Sequence, residues 1–501
     1  MPINFIPNDP LAGAGSPPSR QKQPHANRPG SRASLQFFDA EPVGLAGPGT
    51  PQFLFWQARE AALLALDAWE RVAGPLTRWQ GNRRTIPFIQ NAVAQIGAAP
   101  TLNAFYNRAS FQFFEGVAGG QTTFSGESTD VVAHEVGHGL LDAIRPDLIE
   151  ATLLEVGAFH EAFGDCVAIL TGLNDSASRQ AVRTSLAGRN FLETTAEDLS
   201  AAIRRFRPTD NAAEPRRARN TLQWQLPTTL PDDGGPGVLI NEDHSFARVF
   251  SGCFYDLIVG LAGANPSAAA VRSAALKAGR LLVAAARTAP VTARFYQSVG
   301  RAMVMADQQL NAGVNRVLLG QVFAGHGISL GTSAMLAPVA ALAGAGPTLS
   351  AKSATLTGPA RRDLVARLGG KAPAKMVVNL LDIGGSRVAQ TLVERDVTLG
   401  AVHSQLKGVV VRVQESVLVG SSGGRAAVLG ALPEMNSTQD EVLSYVGALM
   451  KHKRILTKPE KTKGGASGKV APMSPPTHEV VAVGGRRELR RRAFACGCGC
   501  R

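Results

Sequence analysis

The sequence predicts a mixed α+β protein: a strand-and-helix body followed by a second, smaller α+β unit. Three observations carry this expectation. Segments 131–144 and 148–170 are apolar at helical spacing and hold a tight set of His, Glu and Asp residues. Ahead of them, residues 101–116 (TLNAFYNRASFQFFEG) alternate aromatic and polar side chains in part, as strands and loops do. Beyond residue 350 short apolar runs at 376–381 and 408–413 alternate with helical patterns at 359–368 and 440–449.

Taken in order, residues 1–34 are rich in Pro, Ser, Gly, Arg and Gln, and are expected to be disordered. A helix over 52–72 places Phe55, Ala58, Ala62, Leu66 and Trp69 on one face. Ser128, Thr129 and Asp130 offer caps and a negative charge at the start of the helix that Arg145-Pro146 ends. A second helix is expected over 148–170, then a polar, Arg-rich excursion over 176–236. A third helix from His244 buries Phe246, Val249, Phe250, Cys253, Leu257 and Leu261, and Ala- and Leu-rich helix continues to about 319. Residues 350–450 are read as a separate small α+β domain, and 451–501 as a basic, Cys-terminated flexible tail.

Composition excludes several classes. The net charge is +13, but residues 451–501 alone carry six Lys and seven Arg against three Glu. The high pI therefore describes a tail rather than a nucleic-acid-binding fold, and no nucleic-acid partner is expected. No run of 18 apolar residues predicts a membrane span, and residues 1–20 lack the pattern of a secretory signal. The expected location is cytoplasmic, or exported without a recognisable signal peptide. Cys166 and Cys253 read as core thiols, and Cys496, Cys498 and Cys500 alternate with Gly at the end of the chain. That tail offers soft-metal chelation or intermolecular disulfides.

The informative stretch is VVAHEVGHGLLDAI, 131–144. His134 and His138 are four apart, about 40° around a helix and one turn along it, so both imidazoles reach one cation. Zn²⁺ is the expected cofactor. Glu135 follows the first ligand and is placed to take a proton from a metal-activated water. In GAFHEAFGD, 157–165, Glu161 and Asp165 again share a face. Glu161 is the expected third ligand, with Asp165 accepting the other ring N–H of a ligating His. His160 is the rival ligand, about 100° away on the helix.

These residues resemble the thermolysin-like zinc metallopeptidases, the gluzincins with HExxH and a later Glu. Three blocks match in order: NAFYN (103–107), SGESTDVVAHEVGH (125–138) and GAFHEAFGD (157–165). The resemblance spans about residues 50–330. It implies a thermolysin-like two-subdomain fold: a strand-rich part over 35–145 ending in the zinc helix, and a helical part over 146–345. It implies that Asn103 and Ala104 bind the backbone of a peptide or protein substrate, and that His244 steadies the oxyanion. Asp243 is expected to orient His244, with Glu242 beside it also able to do so, since the family's aspartate five residues upstream is Leu239 here; Asp232 and Asp233 are alternatives. The family's Asn before the Glu ligand is His160, and no Tyr occurs between Arg145 and Val156 to match its transition-state tyrosine. Asp130 matches one calcium ligand without convincing acidic partners downstream, so calcium is not expected. The rival expectation is a non-catalytic zinc-containing binding protein on the same scaffold.

Overall fold

The computed structural model describes residues 1–12, 19–92, 102–118, 121–331, 378–383, 386–422, 425–431, 438–457 and 476–492, and these form a mixed α+β fold. The chain opens with strands β1 (Ile3–Phe5), β2 (Arg20–Lys22) and β3 (Ser34–Phe37), then helix α1 (Pro51–Ala73). Strands β4 (Thr85–Ile89), β5 (Ala104–Tyr106), β6 (Phe111–Phe113), β7 (Glu115–Ala118) and β8 (Gln121–Phe124) lead to α2 (Thr129–Ile144). Helices α3 (Leu154–Asn174) and α4 (Ser176–Val182) follow, then β9 (Thr194–Thr195), α5 (Glu197–Phe206) and β10 (Arg216–Arg217). Helices α6 (Asp243–Ala262), α7 (Ala268–Thr288), α8 (Phe295–Asn311) and α9 (Arg316–Gly325) complete the body. The C-terminal part holds β11 (Val378–Ile383), β12 (Ser386–Thr398), β13 (Val409–Ser422), β14 (Arg425–Ala431), α10 (Thr438–Lys451), β15 (Ile455–Leu456), β16 (His478–Val483) and β17 (Arg486–Arg491).

The first of the expected helices starts where its chemistry says it should. Thr50 accepts a hydrogen bond from the Phe53 N–H, and Pro51 sits in the first turn, where its missing donor is not needed. The helix expected over 148–170 begins later, at Leu154, because residues 146–153 form turns after Pro146. The four-stranded sheet runs β3-β4-β6-β5, with β5 at its edge and antiparallel to β6. Its aromatic residues form one packed layer: Phe88 stands 5.0 Å from Phe113 and Tyr106 5.0 Å from Phe111, ring centre to ring centre. Phe111 and Trp79 close on Gly139, so α2 lies directly under this sheet. Tyr106 and Arg108 both hydrogen-bond the buried Asp142, which fixes the end of α2 against the edge strand.

Helices α3 and α6 are long and apolar enough to cross a bilayer, yet the apolar stretch of α3 is wholly buried inside the fold and that of α6 is two-thirds buried. They pack on each other and on α7, α3 also packs on α2, and Phe159 of α3 meets Phe250 of α6 and Phe295 of α8 edge-on.

Two expectations about the ends of the chain are corrected. Described residues within 1–34 are not disordered. Ile3 and Phe5 are 1% exposed, and β1 pairs with β2. Polar residues of α1 hold the segment as well: Gln57 bonds the Ile6 backbone both ways, and Glu60 accepts from the His25 N–H. Composition alone does not register such anchors. Nor are 478–491 part of a flexible tail. They form the β16–β17 hairpin in a sheet ordered β11-β12-β13-β17-β16-β15, with β14 also on β13. Gly484 and Gly485, both at positive φ, make the turn. Arginines of the hairpin have carboxylate partners: Arg486 with Asp396 at the surface, Arg490 with Glu488 and Glu150, and Arg491 with Asp243.

The described part of 350–450 is not separate from the body either. Val409, Val446 and Leu489 belong to the same hydrophobic core as the helices. Arg145 reaches Gln414, Thr152 donates to the Leu489 carbonyl at 2.6 Å, and His478 bonds the Thr152 carbonyl at 2.8 Å. The expected strands and the 440–449 helix are β11, β13 and α10. The helix expected at 359–368 and the three terminal cysteines lie outside the described residues.

Candidate metal centre

Helices α2 and α3 meet where neither carries a side chain. A Cβ on Gly137 would stand 2.9 Å from the Gly164 Cα, and one on Gly164 would stand 2.6 Å from His134 Nδ1. This close approach lets ligands from both helices converge. His134 Nε2 lies 3.1 Å from Glu161 Oε2, and His138 Nε2 lies 3.7 Å from Glu161 Oε1. One donor atom from each residue falls within 4.8 Å of the others. Among the described residues Glu161 Oε1 is buried and accepts no hydrogen bond. Two imidazoles and one carboxylate are a donor set that Zn²⁺ takes with a fourth position open, so the residues present fit that ion.

The next shell fixes the rings. Asp165 Oδ1 lies 3.0 Å from His134 Nδ1, as expected, and Asp165 also accepts from Arg216 at 2.9 Å and from Ser251 at 3.1 Å. His138 Nδ1 lies 2.7 Å from His160 Nδ1. Coordination through His138 Nε2 requires the proton on Nδ1, so His138 donates and His160 accepts. His160, the rival ligand, is thereby an orienting neighbour.

Electrostatics follow from burial and pairing. Burial and Arg216 press His134 toward neutrality, but hydrogen bonds to Asp165 and Glu161 outweigh them and raise its pKa to about 10. Burial would raise Glu161, yet the His244, His138 and His134 rings hold it well below its ordinary value. Burial keeps His138 neutral and lowers His160 to about 3. Burial opposes ionisation of Asp165 too, and Arg216 and His134 bring it down to about 2. The pocket thus offers two carboxylates in the charged form that a dication needs.

The remaining expected residues fall as follows. Glu135 is fully buried on the turn of α2 that carries His134. His244 comes to the site, its Nε2 3.3 Å from Glu161 Oε2. Its orienting partner is corrected: Glu242 Oε1 stands 2.6 Å from Nδ1, while Asp243 turns to Arg491. Glu242 is the extended cap residue, its carboxylate accepting from the Ser245 N–H, so it folds back beside His244. Asp232 contacts His452, and Asp233 accepts from the Gly234 N–H. Asn103 precedes the edge strand β5, its Oδ1 accepting from the Ala104 N–H at 2.9 Å, and Ala104 pairs with Phe113. Arg216 was not foreseen. It comes from a two-residue strand inside the polar excursion, where no periodicity marks it.

A second cluster gathers Asp9, Asp130 and Glu197, again within 4.8 Å. Ser128 caps α2 by position only, because its hydroxyl goes to Asp9 and Asp130. Burial and the Asp9 charge raise Asp130 to about 6, and burial with like charges raises Glu197 and Asp198 well above their ordinary values. These folded-state values exceed those of the unfolded chain, so the cluster stabilises the fold when protonated. The Asp130 contribution is complete below about pH 4 and is lost as pH rises through about 6, while those of Glu197 and Asp198 are lost as pH rises through their own raised values. In chelator, Tm is expected to fall by several degrees between about pH 5 and about pH 7.5. Millimolar Ca²⁺ is expected to restore it through these acids, and Asp9→Asn to remove that gain. Calorimetry with and without chelator checks both; a Tm indifferent to calcium would leave a proton-sharing cluster only.

Among known proteins, no family model matches this chain and no curated protein matches it.

Proposed function

We propose that this chain is a zinc-dependent peptidase of thermolysin-like, two-subdomain architecture. The observation that supports it most is the convergence of His134, His138 and Glu161 around one point, with Glu135 on the same helical turn as His134. A bound Zn²⁺ would supply a Lewis acid for the scissile carbonyl and acidify the attacking water. Glu135 takes a proton from that water and delivers it to the leaving amine. His244, when protonated, donates from Nδ1 to Glu242 and from Nε2 to the developing oxyanion. Asn103 and Ala104, at an edge strand, align an extended peptide as an added strand.

The second reading is a non-catalytic zinc-containing binding protein. It is favoured by the burial of the site: the three ligands and Glu135 are at most 1% exposed. Metal content by mass spectrometry together with peptide-library cleavage, in wild type and Glu135→Gln, separates the two. About one zinc per chain in both, with cleavage only when Glu135 is present, supports the peptidase. Zinc in both with cleavage in neither supports the binding protein, and no zinc in either rejects the metal centre.

A further inference from the structure

The connection between the two ligand helices is tied to the C-terminal hairpin. The Thr152 hydroxyl donates to the Leu489 carbonyl at 2.6 Å, the Arg491 N–H donates to the Glu150 carbonyl at 3.2 Å, and Arg490 pairs with the Glu150 carboxylate. Glu150 also pairs with Arg108 at 2.9 Å, and Arg108 bonds Asp142 near the end of α2. Strand β17 therefore ends at a fixed place beside the α2–α3 connection. Its last residue, Arg491, turns its guanidinium onto Asp243, the first residue of α6 and the neighbour of His244.

This ion pair lies against α3 at Gly157, where a Cβ would stand 2.8 Å from Asp243 Oδ1 and closer still to the Arg491 guanidinium. Gly157 is one helical turn before Glu161, about 6 Å along the axis. The pair is nearly dry, the Arg491 side chain being 12% exposed and that of Asp243 10%. A charge pair so enclosed escapes the screening and side-chain freedom that weaken one at the surface. It acts at a point that needs it, because helix ends fray. Glu242 meets the His244 ring at Nδ1, and Glu161 faces Nε2 at 3.3 Å. Glu242 moves with the turn, since its carboxylate caps that same turn through the Ser245 N–H. Asp243 instead ties the turn to a strand 248 residues away.

We propose that Arg491 is a positioning residue for His244: by holding Asp243 it fixes the first turn of α6, so that the His244 ring stays between Glu242 and Glu161. The proposal rests on the peptidase reading above, in which His244 donates to the developing oxyanion. It makes the C-terminal hairpin a working part of the site, with Arg491 acting through Asp243 and taking no part in bond making.

The test compares the full chain, supplied with zinc, as wild type, Arg491→Met and Arg491→Met/Asp243→Asn. The double variant leaves no buried carboxylate without its counter-charge, so it serves where the single variant folds poorly. Ring ¹⁵N–¹H resonances of the histidines are followed at fixed pH, the His244 signal being the one that His244→Ala removes. That signal is expected to move in both Arg491 variants and to stay in place in Arg486→Met, whose pair with Asp396 lies at the surface. Peptide cleavage is expected to lose about tenfold or more in kcat with KM within about twofold of wild type, since the interaction lost is made in the transition state. In a His244→Ala background the same substitution is expected to cost less than about twofold further, because what Arg491 positions is already gone. An unmoved His244 signal overturns the proposal whatever the kinetics. A loss that adds in full to that of His244→Ala, or zinc released from the Arg491 variants, makes Arg491 a general brace and overturns it too. A signal that moves while wild type cleaves no peptide keeps the coupling of Arg491 to His244 and rejects the peptidase reading, so the two fail separately.

Discussion

Replacing Glu135 by Gln is expected to cut peptide cleavage by about 10²–10⁴-fold, the range ascribed to a positioned general base, while metal content stays at the wild-type level. The side chains are nearly identical in shape, and Glu135 is not one of the three converging ligands, so the metal-binding geometry is preserved. What is lost is the capacity to accept the water's proton and return it to the amine. Cleavage by Glu135→Gln at the full rate would remove Glu135 from the mechanism. Loss of metal together with activity would mean that Glu135 supports the ligands rather than the chemistry. His244→Ala offers a milder contrast, because a single oxyanion donor is worth about 10²–10³-fold.

Much of the centre was legible because its information is local. His134 with His138, and Glu161 with Asp165, each lie four apart on one helix, and that spacing alone puts a pair on one face. The partners that were missed are not local. Arg490 meets Glu150 across 340 residues, and Arg491 meets Asp243 across 248, so the C-terminal charge run gave no sign that its arginines are paired in a sheet. Asp9 enters the acidic cluster from a segment whose composition resembles disorder, because burial there is secured by hydrogen bonds to Gln57 and Glu60. The choice between Glu242 and Asp243 turned on one residue of helix phase. The extended cap residue folds its carboxylate back to His244, while the first helical residue points away to Arg491.

Gly164→Ala is expected to weaken metal binding by about 10–100-fold or more without unfolding the chain, the loss seen when a ligand's supporting contacts are removed. The argument is steric. The new Cβ would stand 2.6, 2.7 and 2.9 Å from His134 Nδ1, Cε1 and Cγ, closer than such atoms pack. The ring has nowhere to go. It is 1% exposed, Asp165 holds its Nδ1, and Glu161 faces its Nε2. Any tilt that relieves the clash therefore swings Nε2 away from the point shared with His138 and Glu161. Helix propensity works the other way, since Ala is favoured over Gly within a helix by about 1 kcal/mol, so far-ultraviolet circular dichroism should stay that of wild type. Gly172→Ala is the control on the same helix: the nearest atoms to its Cβ are those of the flexible Leu192 side chain rather than a ligand ring. Chelator competition on the three proteins decides the matter. Weakened affinity confined to Gly164→Ala ties the bare crossing of α2 and α3 to the metal. Equal affinity in all three would mean that His134 does not ligate from the position it holds here, and the centre would have to be rebuilt around His138, His160 and Glu161.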